Sequence, residues 1–409
     1  MPAVTLPDAA KSFGEFYVPR FEITAGGTAI PTSVLRDVIQ VSYNDSTTEI
    51  DSFDITVNNW DADARTFKYV GAETTTRSAN PLHALFEPGA RDFELKLGYG
   101  SELFGFATGS PSSLEPAFPA GGAPTLTVRA LNVLFKLRAK QHRDHWINKK
   151  ISQIAEDIGR RRESDGCRRF PIPIRLAPAS VRRREPPLLY VAQDNQYDID
   201  FLLREARKIG YVVYVDSEPQ RHGPPRDVLY FGPSNARQPG VRDITYELKW
   251  GLSLVDFTPK LSTANQVKSV EVRSWNRQTN RPIRKKVTVH HPDIHINRDL
   301  LHLIDPGEPC RGSGSRPREA VTVNEPHFTP EQAERRAVAL IEEKLKELVE
   351  ATGTTVGLPN LRAGQRVRIA GLGARFSGTY FVIKTTHTIN DSGYVTKFTA
   401  RREQGETPA

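Results

Sequence analysis

Sulfur is scarce in this chain, with two cysteines and one methionine among 409 residues. Cys167 and Cys310 both lie in Pro/Gly/Arg-rich stretches and are too few for the disulfide framework of a small secreted domain, so the chain reads as made in a reducing cytosol. Long apolar runs are missing as well. None approaches the roughly 18 residues that a membrane span needs, so no membrane anchor is expected. The opening MPAVTLPDAAK lacks the basic stretch and apolar run of a secretory signal. In their place stand 30 prolines and 29 glycines, with 38% hydrophobic and 25% charged residues. That is the profile of a turn-rich, β-dominated globular protein with room for two or three cores.

The net charge of +8 is uneven. Residues 160–187, RRRESDGCRRFPIPIRLAPASVRRREPP, carry nine arginines and five prolines against three acidic side chains. Such a segment suits contact with nucleic acid or another acidic surface. It equally suits a solvated loop held extended by proline and self-repulsion.

Period-two alternation predicts strands at VLRDVIQVSY (34–43), DSFDITVNNW (51–60), FELKLGYG (93–100) and LTVRALNVLFKL (126–137). Three helices are expected. NKKISQIAEDIG (148–159) puts Ile151, Ile154 and Ile158 on one face and ends at Gly159. DNQYDIDFLLREARKIG (194–210) opens on Asp194 or Asn195, carries Asp198 and Asp200 near its start, where carboxylates complement the dipole, and stops at Gly210. TPEQAERRAVALIEEKLKELVEATG (329–353) has Thr329 and Gln332 as a capping box, Pro330 in its first turn, and Gly353 as its stop.

RIAGLGARFSGTY (368–380) has the glycines of a phosphate cradle, but a cradle needs a helix after them. Here TYFVIKTTHTI (379–389) follows, another alternating strand, so Gly371, Gly373 and Gly378 are read as turn residues that accept positive φ. Gly98 and Gly100 play the same part in PGARDFELKLGYGSELFGF (88–106), whose layout matches AGQRVRIAGLGARFSGTY (363–380). Each is closed by a late strand, LTVRAL (126–131) and YVTKFTARR (394–402), and DSFDITVNNW (51–60) has a weaker echo in NQVKSVEVRSW (265–275). Two copies of one β-module, separated by inserted material, explain the pattern.

Enzyme signatures are thin. His290, His291 and His295 cluster around Asp293, but Pro292 disfavours the helix that would align His291 with His295. His387 reads as packed or hydrogen-bonded, and GSGS (312–315) lacks the strand-to-helix context of a nucleophile. No catalytic, cofactor or metal residues are assigned.

Four stretches, DVIQVSYNDSTTEIDSFDITVNNWD (37–61), QDNQYDIDFLLREARKIGY (193–211), LVDFTPKLSTANQVKSVEVRSW (254–275) and residues 352–402, resemble the late control protein D family of tailed phages. They are also similar to the N-terminal hub portion of type VI secretion spike proteins. The resemblance implies a mainly β fold with an α+β insertion: two homologous tube-type β-barrel domains plus a smaller α/β module. The expected division is an arm (1–14), a first barrel (15–140), an insertion (141–255), a second barrel (256–402) with an irregular insert (276–328) and a helix (329–352), and a tail (403–409). It further implies a non-enzymatic baseplate hub without cofactors, assembled in the bacterial cytoplasm into a virion tail or injection particle. Its partners would be two further copies in a homotrimer, inner-tube or tube-initiator proteins on one face, a trimeric spike on the other, and neighbouring baseplate proteins. DNA or effector cargo would pass through or dock in the lumen. Spike and any cell-wall-cutting domain are expected on other polypeptides, and the ring's closing edges are expected near 93–100 and 365–373. The competing expectation from the residues alone is a β-barrel protein that binds DNA or polysaccharide through its Arg-rich loop.

Overall fold

The computed structural model describes residues 4–5, 8, 18–70, 81–138, 140–183, 185, 187–218, 226–234, 245–276, 279–294, 296, 298–305, 319–322, 327 and 329–402. It is mainly β, built around one continuous 14-stranded sheet.

The first part of that sheet uses β1 (Pro19–Ala25), β2 (Val38–Ser46), β3 (Ser52–Asn58), β4 (Phe93–Tyr99), β5 (Glu102–Ala117) and β6 (Thr125–Asn132). They lie in the order β2-β3-β6-β5-β4-β1, every neighbour antiparallel. Alternation points Val41, Phe53, Ile55, Leu95 and Val128 into one core. The expected strand at 34–43 begins late, because Thr32–Asp37 forms a short helix, α1, which buries Val34.

An inserted α/β unit follows, with its own core around Trp146, Ile154, Phe170, Phe201 and Phe231. β7 (Gln141–Lys149) leads into α2 (Ile151–Arg160), and β8 (Leu188–Tyr197) pairs with β7 before α3 (Asp198–Lys208). Gly159 does not end α2; it lies inside it, where an added Cβ would sit 3.1 Å from Ile174. Nor does α3 open at Asp194 or Asn195. Those residues belong to β8, with Asn195 at φ +50°, and the helix starts at Asp198. Past its end, Gly210 takes φ +73°. β9 (Tyr211–Glu218) and β10 (Arg226–Pro233) complete the unit as a hairpin.

The chain then returns to the main sheet at β11 (Thr245–Lys249), ahead of the expected boundary at 255, and continues into β12 (Leu254–Leu261). A separate three-stranded sheet centres on β13 (Ser269–Asn276), between β14 (Arg281–Thr288) and β15 (Glu319–Thr322). Against it packs α4 (Pro330–Lys346), whose Ala333, Ala337, Ile341 and Leu345 are buried. Thr329 caps α4 by accepting from the Gln332 N–H at 3.3 Å. The helix stops at Lys346 rather than Gly353, because residues 349–356 alternate buried and outward and form strand β16 (Val349–Val356). Gly353 is there for close approach: a Cβ would lie 2.5 Å from the Phe398 ring.

β17 (Arg366–Ala370), β18 (Gly378–Asn390) and β19 (Gly393–Arg402) complete a second ladder in the order β12-β16-β19-β18-β17, again all antiparallel. This order repeats β2-β3-β6-β5-β4 strand for strand. The irregularities repeat too. β2 bulges at Ile39 against β3, and β12 bulges at Val255 against β16. β5 bulges at Ser112, opposite Arg129 and Ala130, and β18 bulges at Ile383, opposite Thr399 and Ala400. The counterpart of 51–60 is therefore β16, not the 265–275 stretch, which lies in the separate sheet. β4 and β17 are not edges either, since β4 runs between β5 and β1, and β17 between β18 and β11.

Candidate functional site

The two ladders meet where β2 pairs antiparallel with β18, from Ser46 opposite Lys384 to Gln40 opposite Asn390. Among the described residues, the best-built polar cluster lies beneath that seam. Period-two alternation that turns Val41 and Tyr43 inward also turns Asp45 inward, so a carboxylate is buried at 4% exposure. Arg362, from the loop between β16 and β17, supplies the charge that makes this tolerable. Its Nε donates to Asp45 Oδ2 at 2.6 Å, and one terminal nitrogen donates to the Tyr43 hydroxyl at 2.5 Å and the Phe106 carbonyl at 3.3 Å. The guanidinium also lies 4.6 Å and 4.9 Å from the Tyr43 and Phe106 ring centres. Asp45 further accepts from the Ala363 N–H at 3.2 Å and from the Thr385 hydroxyl.

Asp51 completes the cluster. It accepts from the Ser46 N–H at 3.1 Å and from Asn132 Nδ2 at 2.8 Å. Burial, reinforced by the neighbouring Asp45 charge, pushes its carboxyl up to about 8. Beside it, His387 contacts the Tyr394 hydroxyl and the Leu361 carbonyl, each at 2.9 Å, and the Thr396 hydroxyl at 3.1 Å. Tyr99 donates across the seam to the Gly357 carbonyl at 2.9 Å. Every one of these ties joins residues of the first ladder to the second, or braces one that does. The arrangement suits a rigid weld between the two ladders of the sheet.

Sequence reasoning placed His387 and missed Asp45, Asp51 and Arg362. The available signal was Asp45 itself, an acid at an inward position of an alternating strand.

The glycines divide by role. Gly100, Gly371, Gly373 and Gly378 have φ of +52°, +86°, +70° and +139°. A helical turn, Gly373–Phe376, intervenes before β18. Gly98 is not in the turn. It lies within β4, where a Cβ would meet the Glu102 carbonyl oxygen at 2.0 Å.

The model of the phage tail baseplate hub (GPD) family matches residues 121–393. The chain belongs to this family. Solved structures of like fold include a 43 kDa tail protein of the MuSo2 prophage from Shewanella oneidensis, with 16% identity and a TM-score of 0.61 over 94% of this chain and 98% of that one. A tail protein from Neisseria meningitidis MC58 matches at 11% identity and TM-score 0.61, over 95% and 97%. An E. coli type VI secretion component matches at 14% and 0.52, over 95% and 79%. Among curated proteins none matches this sequence.

A baseplate hub family is structural rather than enzymatic, and the remaining candidates sit in ordinary structural contacts. His290 pairs with Asp305 at 2.9 Å and His291 with Glu334 at 3.4 Å, while His295 and residues 312–315 lie outside the described residues. Among the described residues no group of side chains could hold a metal ion, and no helix is long and apolar enough to cross a membrane. The Arg-rich segment is divided: Arg169 is turned inward, whereas Arg160, Arg162, Arg168 and Arg183 are exposed. Arg169 grips Asp198 at 2.7 Å and Asp144 at 2.5 Å, Arg161 also pairs with Asp144, and Arg160 meets Glu156 at 2.5 Å. Arg162 and Arg182 donate to the carbonyls of Gly166 and Ala177, each at 2.8 Å. Asp200 pairs with Arg138 at 2.7 Å.

Proposed function

We propose that this chain is the structural hub of a contractile phage tail or a related injection particle, forming a trimeric ring between a sixfold inner tube and a threefold spike. The observation that supports this most is the repeated ladder: the same five-strand order, with bulges at two matching positions. Bulges persist within families as built features, so two shared ones favour duplication over coincidence. A chain with two equivalent β-modules presents six when three copies close a ring, and six matches the symmetry of a tube while the ring remains threefold for the spike. The weld of Arg362, Asp45 and their neighbours keeps the two modules at a fixed angle, which ring closure requires. On contraction the hub travels with tube and spike, and DNA or protein cargo passes through or docks in its lumen. The ion pairs of Arg161 and Arg169 with Asp144 and Asp198 take two of the arginines of segment 160–187 out of any nucleic-acid surface.

Electron microscopy of purified tail particles, with this chain tagged, tests the proposal. Three copies on the central axis are expected; six copies, or none on the axis, refute it.

A further inference from the structure

Of the two faces of the separate three-stranded sheet, α4 covers one: Val270, Val272, Ile283 and Val287 are buried in the same core as Ala333, Ala337 and Ile341. Alternation turns Glu271, Arg273 and Trp275 of β13, with Pro282, Arg284 and Lys286 of β14, to the other face. Of these six, Glu271 alone is less than fully exposed.

Two features of this open face point to a ligand. The first is a flat apolar floor. Trp275 is 50% exposed, and its indole N–H donates to Asn280 Oδ1 at 3.2 Å, so the polar edge is anchored and the ring surface is presented. Asn280 is set in the hairpin turn at φ +54°, where the Thr279 N–H donates to Asn276 Oδ1 at 3.0 Å. Pro282 stands directly opposite Trp275 and extends the floor. The second feature is an uncompensated cation. Two residues along, Arg273 faces Arg284, and like charges set directly opposite repel. Glu271 grips Arg273 through bonds of 2.9 Å and 2.8 Å, and Lys286 pairs with Glu319 at 2.7 Å. Among the described residues the Arg284 guanidinium has no such partner, and the Glu271 charge that it feels is already engaged by Arg273. Arg284 is the diagonal neighbour of Trp275, at roughly 7–8 Å.

We propose that this face binds a carboxylated glycan, with a sugar ring seated on Trp275 and Pro282 and its carboxylate on Arg284. The C–H face of a sugar matches the indole, and a guanidinium takes a carboxylate through two parallel bonds. An anion there also relieves the repulsion between Arg273 and Arg284. Charge balance selects this class over nucleic acid. The face sets three cations, Arg273, Arg284 and Lys286, against the carboxylates of Glu271 and Glu319. A run of phosphates would find little to neutralise there and two like charges to avoid. A glycan with separated carboxylates and many hydroxyls fits, because both glutamates remain acceptors for hydroxyls. The inference stands apart from the ring reading, since it uses neither ladder.

Isothermal titration of the full chain with a tetramer of galacturonic acid tests it. The methyl ester of that tetramer, a thymidine oligonucleotide and a polyglutamate peptide of the same length serve as comparators. The acid tetramer is expected to bind saturably with a Kd of about 0.01–1 mM, and the ester at least about tenfold more weakly. Arg284→Gln and Trp275→Ala should each weaken binding at least about tenfold. Trp250→Ala, which removes another exposed tryptophan, should leave it unchanged. If Trp275→Ala loses its fold, Arg284→Gln decides by itself, because it removes a repulsion at an exposed site. No saturable binding up to about 5 mM, equal affinity for the ester, or binding untouched by Arg284→Gln overturns the site. Equal or tighter binding of the oligonucleotide or the peptide, lost in the same variants, overturns the glycan assignment.

Discussion

Replacing Arg362 with methionine should do more damage than any single surface change, and the structure says how much. Methionine keeps most of the aliphatic volume between the Tyr43 and Phe106 rings but removes the cation. Asp45 then keeps only the Ala363 N–H and the Thr385 hydroxyl, at a site 4% exposed to water. Leaving one partner of a buried ion pair uncompensated costs about 3–5 kcal/mol. Arg362→Lys preserves charge but not the fork that reaches Asp45, Tyr43 and the Phe106 carbonyl together, so an intermediate loss of about 1–3 kcal/mol is expected. Adding Asp45→Asn to Arg362→Met removes the orphaned charge, so the double variant should recover about 2 kcal/mol relative to the methionine variant alone. Urea unfolding supplies these differences. Hydrogen exchange locates them: protection should fall first along the rungs of residues 40–46 and 384–390, where the two ladders meet. An Arg362→Met chain within about 1 kcal/mol of the parent, with unchanged protection in those rungs, would refute the reasoning, because the cluster would then not be the weld.

Three further outcomes follow from the same geometry. The folded chain holds the Asp51 proton up to about pH 8 whereas an ordinary carboxyl releases it near 3.8, so stability should fall as pH rises through that window and level off above it; Asp51→Asn should flatten this slope in urea midpoints, and an unaltered slope would contradict the assignment. Gly371→Val or Gly373→Val forces a β-branched residue to φ +86° or +70° and should cost on the order of 1–3 kcal/mol in thermal unfolding, with Gly373→Asn costing clearly less. Gly357→Ala would set a Cβ 2.1 Å from the Tyr394 ring, displacing the hydroxyl that contacts His387, and should cost about 1–3 kcal/mol by the same measurement; a neutral result would mean that the ring has room to move.

What the sequence determined on its own lies within a few residues of where it is written. Alternation marked β3, β4 and β6, the glycines at 100, 371 and 373 marked the turns, and Thr329 marked the start of α4, because strand pleat, φ and capping are set by immediate neighbours. The family was legible for a related reason, since several such stretches occur together in one chain. Tertiary structure decided whatever depends on a distant partner. Helical spacing ran on through 347–352, yet the chain leaves the helix at Lys346 because Val349 and Ala351 are buried between β12 and β19. Gly353 looked like a helix stop and is a seat for Phe398. The repeat was visible as hairpins, but the partner of β3 was misread as 265–275, since only hydrogen-bonded register shows that β16 fills that place. Above all, Arg362 and Asp45 stand 317 residues apart, and although the alternation of β2 turns Asp45 inward, nothing near either residue encodes their pairing. A buried charge finds its counter-charge only when the two ladders close on each other.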